Sequence, residues 1–425
     1  MQHPDQPSAG ARGGDALRPG GHAPAGHAAA GPPSSLRTMP LWPLAATLAV
    51  QTLATMSLFS VPAVAPAIAA ALGVSGALVG VFVSLVYTVG IVSALVSPGF
   101  IHRFGATRIT QVALLAVFGL LAIGAGGTLV GLAVGAVVLG LAYGSIAPAS
   151  THLLVPNTPR SAFNMVMSLR QIGVPLGGVL GAVLLPPITL ALGWRWALLV
   201  QIPPVLALML LMELPRRRWD HDRSDTQRLF GRTLLLPFQL LRDGAIRRLS
   251  VASFVYSGTQ LCFVAFMTVH LTTTVGFDLV RAGQVLATYQ VFGAVSRPIW
   301  GWIADKWLTP AQTLAVHGLG MALAALAAGR FGPAWPHAAI LLVAAVAGCT
   351  AAGYTGVAYA DFAALGGARR TEATGLGTAV MFAGVTLMPP AFSALATGWG
   401  YPAGYEMLAV CSLIGAVMLV LPRRQ

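Results

Sequence analysis

From Leu41 onward, long apolar runs alternate with short polar or charged turns. Reading between the charges and turn residues gives twelve runs, at about 42–64, 76–97, 108–127, 130–153, 162–188, 196–214, 249–271, 283–303, 311–329, 337–362, 372–396 and 403–422. Each is close to the ~20 apolar residues that a helix needs to cross the hydrocarbon core of a bilayer. A lone run of this length satisfies its backbone in lipid only as a helix. The pattern therefore predicts an all-α integral membrane protein with twelve transmembrane helices. The faintest division is GAGGT at 124–128.

Composition agrees with this. Residues are 56% hydrophobic and 9% charged, against about 25% charged in soluble domains, and the mean hydropathy is +0.76. The net charge of +13 reads as topology. With both termini on one side, that side holds twenty of the Lys and Arg residues and the other holds Arg195, Arg281 and Arg330. This is a strong positive-inside bias. It predicts a multi-pass protein with cytoplasmic termini; the bacterial inner membrane is the expected location. Nucleic acid is not an expected partner, because no basic soluble domain exists. The expected organisation is a disordered cytoplasmic tail over 1–40, a six-helix bundle over 41–214, a cytoplasmic loop over 215–248 and a second six-helix bundle over 249–425. Segment 229–241 is somewhat amphipathic and suits the membrane surface. The tail shows no signal peptide, and its His3, His22 and His27 read as solvated low-complexity sequence.

Two charged segments repeat. Residues 97–108 read SPGFIHRFGATR and residues 296–307 read SRPIWGWIADKW. Further pairs align in chain order: Gln51 with Gln260, Gly173-Val174 with Gly384-Val385, and Gly193-Trp194 with Gly404-Tyr405. Duplicated helical bundles are a common architecture of secondary transporters.

On these residues the chain resembles the major facilitator superfamily, and the likeness covers 41–425. The family signature between helices two and three is Gly-x-x-x-Asp-Arg-x-Gly-x-Arg. The second half carries it as Gly301, Asp305 and Lys306. The first half keeps Gly99, Arg103, Gly105 and Arg108 but has His102 where the family has Asp. The resemblance implies two pseudo-symmetric six-helix bundles that rock about a central site, working as a monomer. It also implies that these turns lock the cytoplasmic side when the carrier faces outward. His102 makes the first lock weaker or pH-dependent; Asp305 is the firmer one. Arg297, Arg370 and Glu372 lie on the same side and are candidate partners in gating.

Ionisable groups at membrane depth are costly, so each is a functional candidate. Arg170 lies about nine residues, or roughly 14 Å, into the fifth run, near the middle of the bilayer. Gln171 follows it. The remaining cavity candidates are Gln51, Tyr87, Tyr143, Tyr256, Gln260, Tyr289, Gln290 and Tyr354; the resemblance implies that helices one, four, seven and ten line the cavity. All twelve Asp and Glu fall in loops, tails or helix ends. A carrier of cations needs an intramembrane acid, whereas this chain offers a guanidinium, whose planar fork suits a carboxylate or another oxyanion. His270 and His317 are weak candidates for a proton carrier. Pro203-Pro204 and Pro389-Pro390 are expected to bend or break their helices. Cys262, Cys349 and Cys411 lie in apolar runs and read as packing residues. No enzyme, cofactor or metal motif is present. The expected activity is proton-coupled transport of a small organic anion, a carboxylate by preference. An efflux carrier for amphipathic compounds is the alternative, and a non-transporting membrane sensor a remote one.

Overall fold

The computed structural model describes residues 40–74, 78–221, 223–224 and 236–421. The expected tail, most of the surface segment at 229–241 and the terminal Arg423 and Arg424 lie outside the described residues.

Every regular element among the described residues is helical. In chain order the helices are the first, Leu41–Ala63, extended by the short Ala65–Leu72; the second, Leu78–Phe104; the third, Ala106–Ala125; and the fourth, Leu129–Tyr143 with Ile146–Leu154. The fifth is Phe163–Gln171 with Gly173–Leu192, the sixth Trp194–Leu199 with Ile202–Leu211, the seventh Gly244–His270 and the eighth Leu279–Lys306. The ninth is Pro310–Gly329, the tenth His337–Ala347 with Thr355–Gly366, the eleventh Arg370–Trp399 and the twelfth Tyr401–Val420. Ten stretches are long and apolar enough to cross a membrane. One of them, His337–Trp399, contains both the tenth and the eleventh helices, which part at Gly367, where φ is +54°. The eighth helix falls outside those stretches but has 28 residues. Twelve spans result.

The charged repeats are not loops. His102 and Arg103 belong to the last turn of the second helix, and Asp305 and Lys306 close the eighth. Apolar side chains continue through both segments, with Ile101 fully buried and Ala304 nearly so, so the helices do not stop at the first charge. The chain turns at Gly105 instead, at φ +92°. The linker residue Asp220 packs there and would clash with a Cβ on that glycine. Its carboxylate accepts the backbone N–H of Thr107 at 2.8 Å and of Arg108 at 3.3 Å, capping the third helix. Burial raises the pKa of Asp220 above the usual carboxylate value, although the bonds at Thr107 and Arg108 act the other way.

The proline pairs behave differently from each other. Pro203 and Pro204 open the second segment of the sixth helix, where their missing N–H groups cost little. Pro389 and Pro390 sit inside the unbroken eleventh helix. Elsewhere the tenth helix is interrupted by a π turn at Gly348–Ala352.

Buried apolar side chains form two main clusters. One draws on helices one to six. The other draws chiefly on helices seven to twelve, with Ala147, Leu154, Val166 and Met167 reaching in from the fourth and fifth. Contacts between the two groups concentrate at the end that carries Arg103, Arg160, Lys306 and Arg369, here the charged end. There Phe163–Gln171 packs along the eighth helix and against Thr355–Gly366, and Ile146–Leu154 packs on the eleventh. The outer segment Gly173–Leu192 hardly meets the eighth helix. Glycines permit the close approach. A Cβ on Gly301 would lie 2.7 Å from the Asn164 carbonyl oxygen, one on Gly375 would lie 2.6 Å from that of Ala94, and one on Gly356 would clash with Ser168. The structure is thus shut at the charged end, and the helix pair five and eight separates toward the opposite end.

Candidate functional site

A central cavity, with room for water over about 190 Å³, lies between the two groups of helices. Its wall includes Gln51, Tyr143, Gln171, Gln260, Gln290 and Tyr354, brought together from six helices. Tyr87, Arg297, Tyr359 and Thr378 also line it. Among the described lining residues none is Asp, Glu, His or Lys.

Arg170 does not line this cavity; it stands behind the wall and holds it. Its Nη2 donates to Gln51 Oε1 at 2.8 Å and its Nη1 to Gln171 Oε1 at 2.5 Å. The guanidinium lies 5.9 Å from the Tyr359 ring centroid, within cation–π range. Gln51 in turn donates to Thr55 Oγ1 at 3.1 Å and to the Tyr143 hydroxyl at 3.4 Å. One network therefore ties helices one, four and five.

Arg297 is the arginine in the cavity wall. The sequence makes it a candidate gating partner at the charged end. Because the eighth helix runs on to Lys306, Arg297 instead sits about nine residues inside it, roughly 14 Å at the helical rise. Its Nη1 donates to the main-chain carbonyl of Gln171. Gln171 thus bridges both arginines, through its side chain to Arg170 and through its backbone to Arg297. Arg170 is 0% and Arg297 2% exposed. Neither has a carboxylate within ion-pair distance among the described residues, and the Nε of each lacks a partner.

Two of the expected tyrosines fall behind the wall. Tyr256 meets Tyr354 edge-on at 5.5 Å. Tyr289 packs on Phe263 at 5.9 Å and its hydroxyl donates to the Gln260 carbonyl at 3.4 Å. His270 bonds the Ala328 carbonyl oxygen at 3.0 Å, and His317 bonds that of Thr313 at 2.7 Å against the Trp300 ring; neither lines the cavity. Sequence reasoning missed Tyr359 and Thr378, which bond each other at 3.2 Å. The only signal was a tyrosine a little over one turn past Tyr354.

The charged end holds the motif residues. Asp305 accepts the backbone N–H groups of Asn164 and Met165, each at 3.0 Å, and the Asn164 side-chain amide at 2.8 Å. It thereby caps the fifth helix across the two groups of helices, with Gly301 allowing the approach. His102 Nε2 lies 3.5 Å from Glu372 Oε1, in the first turn of the eleventh helix. Arg370 opens that helix, and Gly99 is buried in the second. Arg103 lies over the Phe104 ring at 5.6 Å. Arg108 pairs with Glu213 at 3.1 Å, so it braces the third helix against the end of the sixth and does not cross between the groups. Lys306 ends the eighth helix beside Asp305.

The family described as Major Facilitator Superfamily matches the chain over residues 47–367 and again over 249–425. A nitrate/nitrite transporter of Nostoc punctiforme is 26% identical over 120 residues, which is 28% of this chain and 23% of that protein. The match therefore spans about a quarter of that relative's length. Among solved structures, the human organic anion transporter MFSD10 is similar with a TM-score of 0.72 at 15% identity, over 88% of this chain and 98% of that one. The E. coli fucose:proton symporter FucP gives 0.68 at 15% identity, over 89% and 97%. The proton:xylose symporter XylE gives 0.67 at 14% identity, over 88% and 94%. At these identities the structural likeness is one of fold.

Proposed function

Since the chain belongs to the Major Facilitator Superfamily of transporters, we propose that it carries a small anion, a monocarboxylate or an oxyanion of similar size, by alternating access driven by protons. The observation that carries this reading is the pair of buried guanidiniums, Arg170 and Arg297, bridged by Gln171 without a carboxylate partner among the described residues. Burying an unpaired charge costs several kcal/mol. A structure that retains two in one place gains most when an anion arrives to share them. Arg297, in the wall, is the group that meets the anion, and its fork suits two oxygens of one ligand. Arg170 fixes Gln51 and Gln171 and adds positive potential from behind. The glutamines and tyrosines of the wall supply neutral hydrogen bonds. The matched nitrate/nitrite transporter supports the anion class.

With the charged end placed at the cytoplasm, as the arginine distribution argues, the shut end faces inward and the cavity faces outward. Release inside then requires the Asp305 cap and the His102–Glu372 contact to part while the opposite end closes.

A thermal-shift screen of the purified protein against nitrate, nitrite, formate, acetate, lactate and pyruvate tests the reading. A ligand bound only by the folded state raises apparent stability. We expect at least one of these anions to raise the melting temperature in the native protein and not in the Arg297→Gln variant. A stabilisation that survives Arg297→Gln, or that comes only from cationic amphiphiles, contradicts the proposal.

A further inference from the structure

The two locks at the charged end have opposite polarity. In one, the eighth helix brings a carboxylate, Asp305, to the bare N–H groups that start the fifth helix. In the other, the second helix brings His102, and the carboxylate, Glu372, belongs to the start of the eleventh. The first lock is complete without a proton, because both Asp305 carboxylate oxygens only accept hydrogen bonds there. The second becomes an ion pair only when His102 carries a proton.

Titratable and charged groups face this pair from several elements. From the fourth helix, His152 meets the His102 ring edge-on at 5.4 Å between centroids, and its Nδ1 lies 3.0 Å from Thr371 Oγ1. On the second helix Arg103 follows His102. On the eleventh, Arg370 precedes Glu372, and Arg369, just before the helix, acts electrostatically on the Glu372 carboxylate. From the linker, Ser224 N–H donates to the His102 carbonyl oxygen at 2.8 Å, and Asp220 packs at Gly105. Glu372 is the acid in ion-pair contact with His102. The cavity wall, by contrast, offers no carboxylate or imidazole among the described residues.

We propose that His102 and Glu372 form a proton-binding site within the gate, and that a proton taken up by His102 from the charged side holds that end shut. Coupling is reciprocal: acid on the charged side favours the shut form, and opening releases the proton. The site rests on the gate's geometry and not on which solute is carried, so the two ideas stand or fall separately.

The experiment is a distance measurement on the full-length protein in nanodiscs without added solute. Native cysteines are replaced, and spin labels are placed through Asn157→Cys and Trp307→Cys, one on each group of helices at the charged end. The shut, short-distance population should be largest near pH 5.5 and fall roughly three- to fivefold relative to the open one by pH 8, the scale of a partly exposed ion pair. His102→Gln should make the population independent of pH. His102→Lys, with its fixed charge, should keep it shut across the range, and His152→Gln should leave the response in place. A native protein with no response, or a response that persists in His102→Gln, overturns the proposal. So does one that vanishes only in His152→Gln.

Discussion

Asp305 caps the fifth helix at Asn164: one carboxylate oxygen takes both the backbone N–H and the side-chain amide of that residue, and the other takes the N–H of Met165. The end of one bundle's helix thus completes the start of another's. A helix start leaves N–H groups unsatisfied and carries partial positive charge, so the cap satisfies hydrogen bonding and charge together.

Removing the cap should open the charged end. Loss of an N-cap costs about 0.5–2 kcal/mol, so Asp305→Ala should shift the shut-to-open ratio between roughly twofold and thirtyfold. Asp305→Asn, which keeps one acceptor oxygen, should shift it less, yet slow turnover more than His102→Asn does. Distance measurements across the charged end and single-turnover transport check both. Equal effects of Asp305→Asn and His102→Asn would contradict the ranking.

Close backbone contact gives a second handle. Gly356 faces Ser168 with no room for a Cβ. Overpacking costs typically 1–3 kcal/mol, and here it falls on the shut form alone. Gly356→Ala should therefore populate the form open at the charged end, with little loss of thermal stability in detergent. A large fall in melting temperature with no change in distances would mean that the clash acts within the fold and not between conformations.

Asp220 should distinguish a cap from a charge. Its pKa is raised because burial outweighs its bonds to Thr107 and Arg108. A raised carboxylate contributes stability that is present below its unfolded value, near 3.9, and is lost as pH rises through the folded value. Asp220→Asn keeps an acceptor and sheds the buried charge, so at pH 7 it should match or exceed the native protein in stability, and the difference should shrink toward pH 4. Asp220→Ala loses the cap and should be less stable by about 1 kcal/mol. Melting curves across pH decide.

Much of the fold was legible because lipid imposes one solution on an apolar run of about 20 residues. The run at 283–303 was read between Arg281 and the Asp305-Lys306 turn, and the structure extends it into one continuous helix, Leu279–Lys306, that takes in all three as well as Arg297. Helix ends were less legible. A charge beside Ile101 or Ala304 looks like a turn in the sequence, whereas the structure continues the helix until Gly105 or Trp307. That shift moved Arg297 from the lock to the cavity wall. Depth along the helix placed Arg170 at the site, but depth does not say which way a side chain faces. Rotation decided that Gln51 and Gln171 face the cavity and Arg170 stands behind them, and likewise that Tyr354 lines it while Tyr256 packs on Tyr354. Glu372 was a candidate gating residue from its place in the sequence, but its pairing with His102 joins residues 270 positions apart and no local pattern encodes it.

The roles of the two arginines should separate kinetically. Arg170→Lys loses the fork that holds Gln51 and Gln171 together, so apparent affinity should fall while the anion preference persists. Arg297→Lys alters the group in the wall, so preference among planar oxyanions should change as well. Competition among nitrate, formate and acetate in transport assays distinguishes them; identical profiles would mean that the two act as one structural unit.

The most direct measurement is uptake of labelled nitrate and short monocarboxylates into proteoliposomes under an imposed proton gradient. The native protein should accelerate uptake of at least one of them. Arg297→Gln, which forfeits charge-assisted hydrogen bonds worth about 1.5–3 kcal/mol, should lower that flux at least about tenfold. Undiminished anion flux in Arg297→Gln, or a native protein that moves amphipathic cations and none of these anions, would contradict the central claim.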